Sequence, residues 1–171
     1  MSRLFGPIMQ NGFVVSDWQL AAQHWSSVLG VGPFFVLRHI EYDWIEYRGE
    51  RVEMDVSVAI AYTGTYQVEL VQQHNDEPSV YNDYLQKNPP GLQHVGVLVN
   101  QLEKTLEDRN LWEKVVQQGR TATGVRFAYV DTELYNGTML ELIETSEASL
   151  KAFDYMESCA RDWDGCNPIR G

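Results

Sequence analysis

Four side chains that can donate a lone pair, Gln10, Glu69, His94 and Glu141, sit at matching places in two similar stretches of the chain. His94 is the only histidine within a β-patterned run, Gly91-Leu92-Gln93-His94-Val95-Gly96-Val97-Leu98-Val99. Strand alternation puts Leu92, His94, Gly96 and Leu98 on one face and Gln93, Val95, Val97 and Val99 on the other. Laid over the N-terminus, His94 to Val99 matches Gln10-Asn11-Gly12-Phe13-Val14-Val15, so Gln10 is the counterpart of His94 and Gly12 of Gly96. Likewise Tyr66-Gln67-Val68-Glu69-Leu70-Val71 reads like Thr138-Met139-Leu140-Glu141-Leu142-Ile143, each with one glutamate between apolar neighbours. A carboxylate in that setting is costly to bury unless it is paired or holds a cation. One imidazole and three oxygen donors form a harder site than Cys and His clusters do. Such a set suits Zn, Ni, Co, Mn or Mg, with positions left open for water or a substrate oxygen.

The elements that must position these donors read as α+β. A strand over Ile8 to Val15 leads through a Ser16 or Asp17 cap into a helix ending at Leu29-Gly30, with Leu20, His24, Trp25, Val28 and Leu29 at helical spacing. His24 reads as a packing residue. Gly32-Pro33 turns into Phe34 to Leu37, a strand that continues irregularly through Trp44 to Tyr47. After the turn Arg48-Gly49-Glu50, a strand over Val52 to Tyr62, a turn at Thr63-Gly64 and a strand over Tyr66 to Gln72 complete a βαβββ module, residues 6–75. Residues 76–90 form a helical connector starting at Pro78-Ser79. Residues 91–145 repeat the module: strand 92–99, helix 102–109, strand 111–118, turns over 119–124, strand 125–130, an Asn136-Gly137 hairpin and strand 138–144. Residues 146–171 form a capped helix and tail, able to cover a sheet edge or build a subunit contact. His39 and His74 fall at strand ends and read as peripheral.

Composition narrows the partners. Thirteen Lys and Arg against 24 Asp and Glu give a net charge of -11, which argues against nucleic acid or an anionic membrane. No apolar run reaches the ~18 residues of a membrane span, and no signal peptide precedes the first strand, so a soluble, cytoplasmic protein is expected. Cys159 and Cys166 lack the close pairing of a zinc motif and read as free thiols. Strand aromatics Trp44, Tyr47, Tyr62, Phe127 and Tyr129 suit either core or cavity lining. Arg38, Arg120 and Arg126 suit either a carboxylate or phosphate of a substrate or plain solvation.

Over residues 6 to 145 the repeat resembles the vicinal oxygen chelate superfamily, which includes glyoxalase I, methylmalonyl-CoA epimerase, extradiol dioxygenases and bleomycin-resistance proteins. The most specific pieces are Gly91-Leu92-Gln93-His94-Val95-Gly96, the helix from Ser16-Asp17 to Leu29-Gly30, and Asn136-Gly137-Thr138-Met139-Leu140-Glu141-Leu142-Ile143. The resemblance implies two tandem βαβββ modules forming a curved open barrel, with Gln10, Glu69, His94 and Glu141 as metal ligands at its centre. It also implies a divalent-metal-dependent isomerase, epimerase or lyase that abstracts a proton next to a thioester or ketone carbonyl through a metal-bound enolate. Glu141 or Glu69 is then the base, and Glu53 stands as a second acid/base in the acidic run Glu50, Glu53, Asp55. The implied partner is an acyl-CoA or hemithioacetal-like small molecule, and the implied assembly a homodimer. A glyoxalase I-type lactoylglutathione lyase and a non-enzymatic binder of the bleomycin-resistance kind are alternatives. An extradiol dioxygenase is disfavoured, because Gln10 stands where its second histidine is required.

Overall fold

The computed structural model describes residues 2–133 and 138–171, so the expected Asn136-Gly137 hairpin lies outside the described residues. The first half comprises β1 (Gln10–Val14), α1 (Trp18–Leu29), β2 (Phe34–Leu37), the short hairpin β3 (Tyr42–Tyr47) and β4 (Glu50–Arg51), β5 (Val56–Thr63) and β6 (Tyr66–Gln73). Helix α2 (Val80–Leu85) leads to β7 (Gly91–Val99), α3 (Leu102–Asp108), a 3-10 turn (Trp112–Lys114), β8 (Val115–Thr121), β9 (Arg126–Asp131) and β10 (Met139–Glu144). Helix α4 (Glu147–Arg161) and β11 (Ile169–Arg170) follow. All strands join one curved, unclosed sheet in the order β11-β2-β5-β6-β1-β7-β10-β9-β8-β3-β4. The fold is α+β, as its sequence implied.

The order β2-β5-β6-β1 on one side is mirrored by β7-β10-β9-β8 on the other, and the two meet along an antiparallel seam between β1 and β7. Alternation along each strand separates an outer from an inner face. Outward, Ala59 and Ala61 let α1 approach through Trp18 and Ala22, and Leu106 on α3 packs with Ala128 and Leu142. Inward, Val14, Val58, Ile60, Val71, Phe127 and Tyr129 form the concave core, against which α2 sets Val80 and Tyr81 and α4 sets Phe153 and Met156.

Helix α1 starts because Asp17 accepts the N–H groups of Gln19 and Leu20, both at 2.9 Å, a cap worth about 1 kcal/mol. It stops where Gly30 adopts φ 67°. Its buried face differs from expectation: Leu20, Val28 and Leu29 are exposed, His24 is exposed, and Trp18 and Ala22 are buried. At the middle of the contact the small Ala22 lets the helix approach Ala59 and Ala61, and Trp18 fills the space at its first turn.

Four further differences concern strands. Trp44 to Tyr47 does not continue β2: it belongs to β3, which pairs with β8 of the other half, Ile45 opposite Gly119. The four residues 38–41 connect β2 to β3, a reach of at most about 18 Å, so the sheet must curl until its two sides nearly meet. The strand expected from Val52 begins only at Val56, and β8 runs through the expected turn as far as Thr121. The tail supplies β11, which pairs in parallel with β2 through Ile169 and Phe34 and covers that edge. Nearby, the Trp163 ring lies against Gly32.

Across the seam Gln10 stands opposite Gly96 and His94 opposite Gly12, with a register shift between Gly12 and Phe13. Each donor therefore lies over the glycine of the other half: a Cβ on Gly12 would coincide with the His94 ring, and one on Gly96 with the Gln10 carboxamide. Gly12→Ala should lower stability by about 1–3 kcal/mol, as overpacking does, read as a lower midpoint in chemical denaturation. An unchanged midpoint would mean that the His94 ring does not rest on β1.

Candidate metal centre and cavity

Parallel pairing places Glu69 of β6 beside Gly12 and Glu141 of β10 beside Gly96. The central four strands thereby deliver Gln10, Glu69, His94 and Glu141 to the same concave point. His94 is fully buried, Gln10 is 2% exposed and Glu141 7%; the Glu69 side chain keeps 12%. His94 Nε2 lies 3.1 Å from Glu69 Oε2 and 3.4 Å from Glu141 Oε2, yet is aligned for a hydrogen bond with neither. Two ligands about 2.1 Å from a shared ion stand about 3 to 3.4 Å apart, so these spacings suit a common centre.

Three atoms here are buried without a hydrogen-bond partner among the described residues: Gln10 Oε1, His94 Nε2 and Glu141 Oε2. All three are lone-pair donors, and a buried polar atom left unmatched costs about 1–3 kcal/mol. The surroundings hold them outward from the protein's own network. Gln10 Nε2 donates to Gln67 Oε1 at 2.6 Å, and Gln67 Nε2 donates to the Tyr62 hydroxyl at 2.9 Å, which turns Gln10 Oε1 away. His94 Nδ1 meets Gln93 Oε1 at 2.8 Å; with Nδ1 donating, the lone pair falls on Nε2. The donor set therefore fits a divalent cation, and Gln10, Glu69, His94 and Glu141 are the residues that would hold it.

Burial by itself drives the His94 pKa down, but the Glu141 and Glu69 carboxylates overcome it and push the imidazole up to about 9. Burial, reinforced by the Glu141 charge, raises the Glu69 carboxyl against the lowering influence of His94. The proton held on His94 is the positive charge that faces these carboxylates. Tyr42, Tyr81 and Tyr129 are likewise raised, by burial first and by the nearby negative charges after it.

Gln10, Glu69 and Glu141 form the floor of a cavity of about 520 Å³, large enough for a small acyl group. Val36, Val58, Ile60, Phe127, Ile143 and Phe153 give it apolar walls. Its rim comes from the 38–42 crossover and from Thr121, Ala122 and Thr123. Of the aromatic residues singled out above, Phe127 and Tyr129 line it. Trp44 instead lies under Arg51, and the Tyr47 hydroxyl donates to Asp83. Arg38 reaches the rim while resting on Trp18. Arg120 pairs with Asp43, and Arg126 pairs with Glu103 and Glu144.

Glu53 is not brought to the cluster: it is exposed, its carbonyl accepts from Asn75, and it does not line the cavity. Sequence reasoning missed Gln93, Tyr42 and Phe153. Gln67 was within reach, since it shares a strand face with Glu69 two residues on.

The glyoxalase/bleomycin resistance protein/dioxygenase superfamily matches residues 9–129. No curated protein matches the chain. Among solved structures, methylmalonyl-CoA epimerase from Mycobacterium tuberculosis has a TM-score of 0.58 at 18% identity, covering 88% of this chain and 95% of its own. A hypothetical protein from Bacillus halodurans has 0.57 at 16%, covering 82% and 95%. Streptomyces coelicolor methylmalonyl-CoA epimerase in complex with 2-nitronate-propionyl-CoA has 0.52 at 16%, covering 83% and 99%. At these identities the likeness is one of fold.

Folded His94 binds its proton more tightly than the unfolded chain does, so the stability it contributes is complete below pH 6.5 and is lost as pH rises to about 9. Glu69 acts in the same direction, losing its contribution as pH rises above its ordinary value of 4.5. Thermal melts of the metal-free protein should therefore show falling stability across this interval. Added Zn, which needs deprotonated ligands, should protect more as pH rises. Metal-free stability that climbs between pH 6.5 and 9 would contradict this electrostatic account.

Proposed function

The chain belongs to the glyoxalase/bleomycin resistance protein/dioxygenase superfamily, the vicinal oxygen chelate group, and on that premise we propose a divalent-metal-dependent isomerase or epimerase that moves a proton next to a thioester or ketone carbonyl. The observation that carries this reading is the convergence of Gln10 Oε1, His94 Nε2 and Glu141 Oε2, buried and unpartnered among the described residues, with Glu69 at the floor of an apolar cavity. An acyl-CoA substrate is supported by the solved epimerases of this fold that hold methylmalonyl-CoA or 2-nitronate-propionyl-CoA.

A bound divalent ion would supply Lewis acidity toward the negative charge that develops on a carbonyl oxygen. The apolar walls exclude water and hold the acyl group. Gln67 and Gln93 keep the Gln10 and His94 donor atoms turned to the centre. Glu141 or Glu69 takes the proton from the carbon beside the carbonyl, as the carboxylate nearest the cavity interior. Burial raises the Glu69 carboxyl, which moves it toward the range where a carboxylate gives and takes protons readily near neutrality. The glyoxalase I-type reaction uses the same step, and the donor set of one glutamine, one histidine and two glutamates favours it as the second reading.

Two variants test the site. His94→Ala should lose stoichiometric Zn, Ni, Co or Mn, measured by elemental analysis, because three oxygen donors hold a transition metal poorly without the imidazole. Undiminished metal content in that variant rules out the assigned ligand set. A parent protein that binds no metal at all favours the non-enzymatic binder. Glu141→Gln, assayed with metal in excess, should slow exchange of the α-proton of acyl-CoAs or hemithioacetals in D2O by about 10²- to 10⁴-fold. Exchange at the parent rate moves the role of base to Glu69.

A further inference from the structure

One group of titratable side chains on the cavity takes no part in the cluster at its floor. His39 lies on the rim, in the crossover between β2 and β3, and lines the same cavity as Glu69 and Glu141. Its Nδ1 is 2.6 Å from Asp55 Oδ1. That is the length of a charge-assisted hydrogen bond and is closer than two ligands of one ion, which stand about 3 Å apart. A carboxylate only accepts, so Nδ1 carries the hydrogen and Nε2 is the free ring nitrogen.

The pair is built from several directions. The His39 backbone holds φ 47°, a left-handed conformation uncommon for a residue with a side chain. Its N–H donates to Ser57 Oγ at 3.1 Å, and Ser57 is buried. The His74 ring tilts against the His39 ring at 4.9 Å between centroids and sets its Nε2 2.8 Å from the same Ser57 Oγ. Asp55 is fixed through its own backbone, its N–H donating to Asn75 Oδ1 and its carbonyl accepting the N–H of His74. Tyr42 lines the same cavity, and its hydroxyl is raised by burial first and then by the charges of Glu69, Glu141 and Asp55. One cavity is thus lined both by the buried carboxylates at its floor and by the exposed His39 at its rim.

We propose that His39, oriented by Asp55, is a second acid/base of the site, delivering a proton to the face of the substrate carbon opposite Glu69 and Glu141. This rests on the isomerase or epimerase reading and deepens it. In one turnover a floor glutamate removes the α-hydrogen as a proton, and the electron pair of the C–H bond passes into the carbonyl system. Imidazolium Nε2–H of His39 then protonates the other face, leaving neutral His39 and a protonated glutamate. The substrate changes configuration but not composition, and the two groups reset by exchanging one proton through solvent. In the reverse direction the roles are interchanged. His39 takes the part expected of Glu53, which the fold turns away from the cavity.

The test uses metal-saturated parent and His39→Ala proteins with each separate epimer of methylmalonyl-CoA in D2O, following deuterium uptake and inversion in parallel. His39 is exposed, so its truncation leaves the floor and the fold in place, which circular dichroism verifies. The expected result is a split. The epimer whose α-hydrogen faces the floor still exchanges in His39→Ala, the other does not, and inversion falls by about 10²- to 10⁴-fold. Free imidazole should restore part of the inversion, because the vacated rim is open to solvent. Inversion at the parent rate overturns the proposal, and so does equal loss of exchange for both epimers. A parent that exchanges without inverting overturns the role of His39 alone. A parent that does neither overturns the isomerase reading and this role with it.

Discussion

The antiparallel seam between β1 and β7 is the contact on which the rest of the structure depends. There two backbones lie side by side with a donor and a glycine on each, Gln10 over Gly96 and His94 over Gly12. Because the arrangement is reciprocal, the two halves must meet in one register. A shift by one residue would turn both donors to the outer face, under the helices. The same register fixes the glutamates, since β6 and β10 flank the seam in parallel and place Glu69 and Glu141 next to those glycines. Four polar groups in the middle of a sheet are thus a single geometric event rather than four separate ones.

Keeping those groups inside is the principal electrostatic burden of the fold. Glu69 and Glu141 share one buried histidine, and Gln10 beside Glu69 is uncharged. Stranding a buried charge costs several kcal/mol, so the apolar core around the cluster carries that deficit. The walls are assembled from distant stretches: β5 and β9 contribute the hydrophobic rows, the crossover after β2 contributes the rim, and α4 contributes Phe153. The cavity exists because α2, α4 and β3 fill the remainder of the concave face, with Tyr81, Met156 and Ile45 packed into its core.

How much of this was legible follows from the kind of signal each part leaves. Gln10, Glu69, His94 and Glu141 could be found because the chain states the pattern twice, and because period-two alternation fixes which side chains share a face. The α1 contact could not, since Ala22 over Ala59 and Ala61 is a fit of small surfaces and small residues carry little hydrophobic weight. β3 misled because its alternation is real but its partner, β8, belongs to the other half. Gln93 was assigned to the face opposite His94 by simple alternation, yet at the irregular register of the seam both residues are buried and bonded to each other. Two-residue β11 has no period to read.

The exchange of β3 across the sheet also governs how the chain can fold. Apart from its own hairpin partner β4, β3 has no strand to join until the Gly119 region has been made, and the β2 edge at Phe34 stays open until Ile169 arrives. Neither half can therefore reach its native outline alone, despite the internal repeat. Such widely separated pairings slow folding, because loop entropy is lost before the contacts reward it. A nascent first half exposes three unpaired strand edges, at β1, β2 and β3, through that interval, and open edges are where chains join the wrong partner. Whatever shelters an emerging polypeptide in the cell has, for this protein, those three edges to cover.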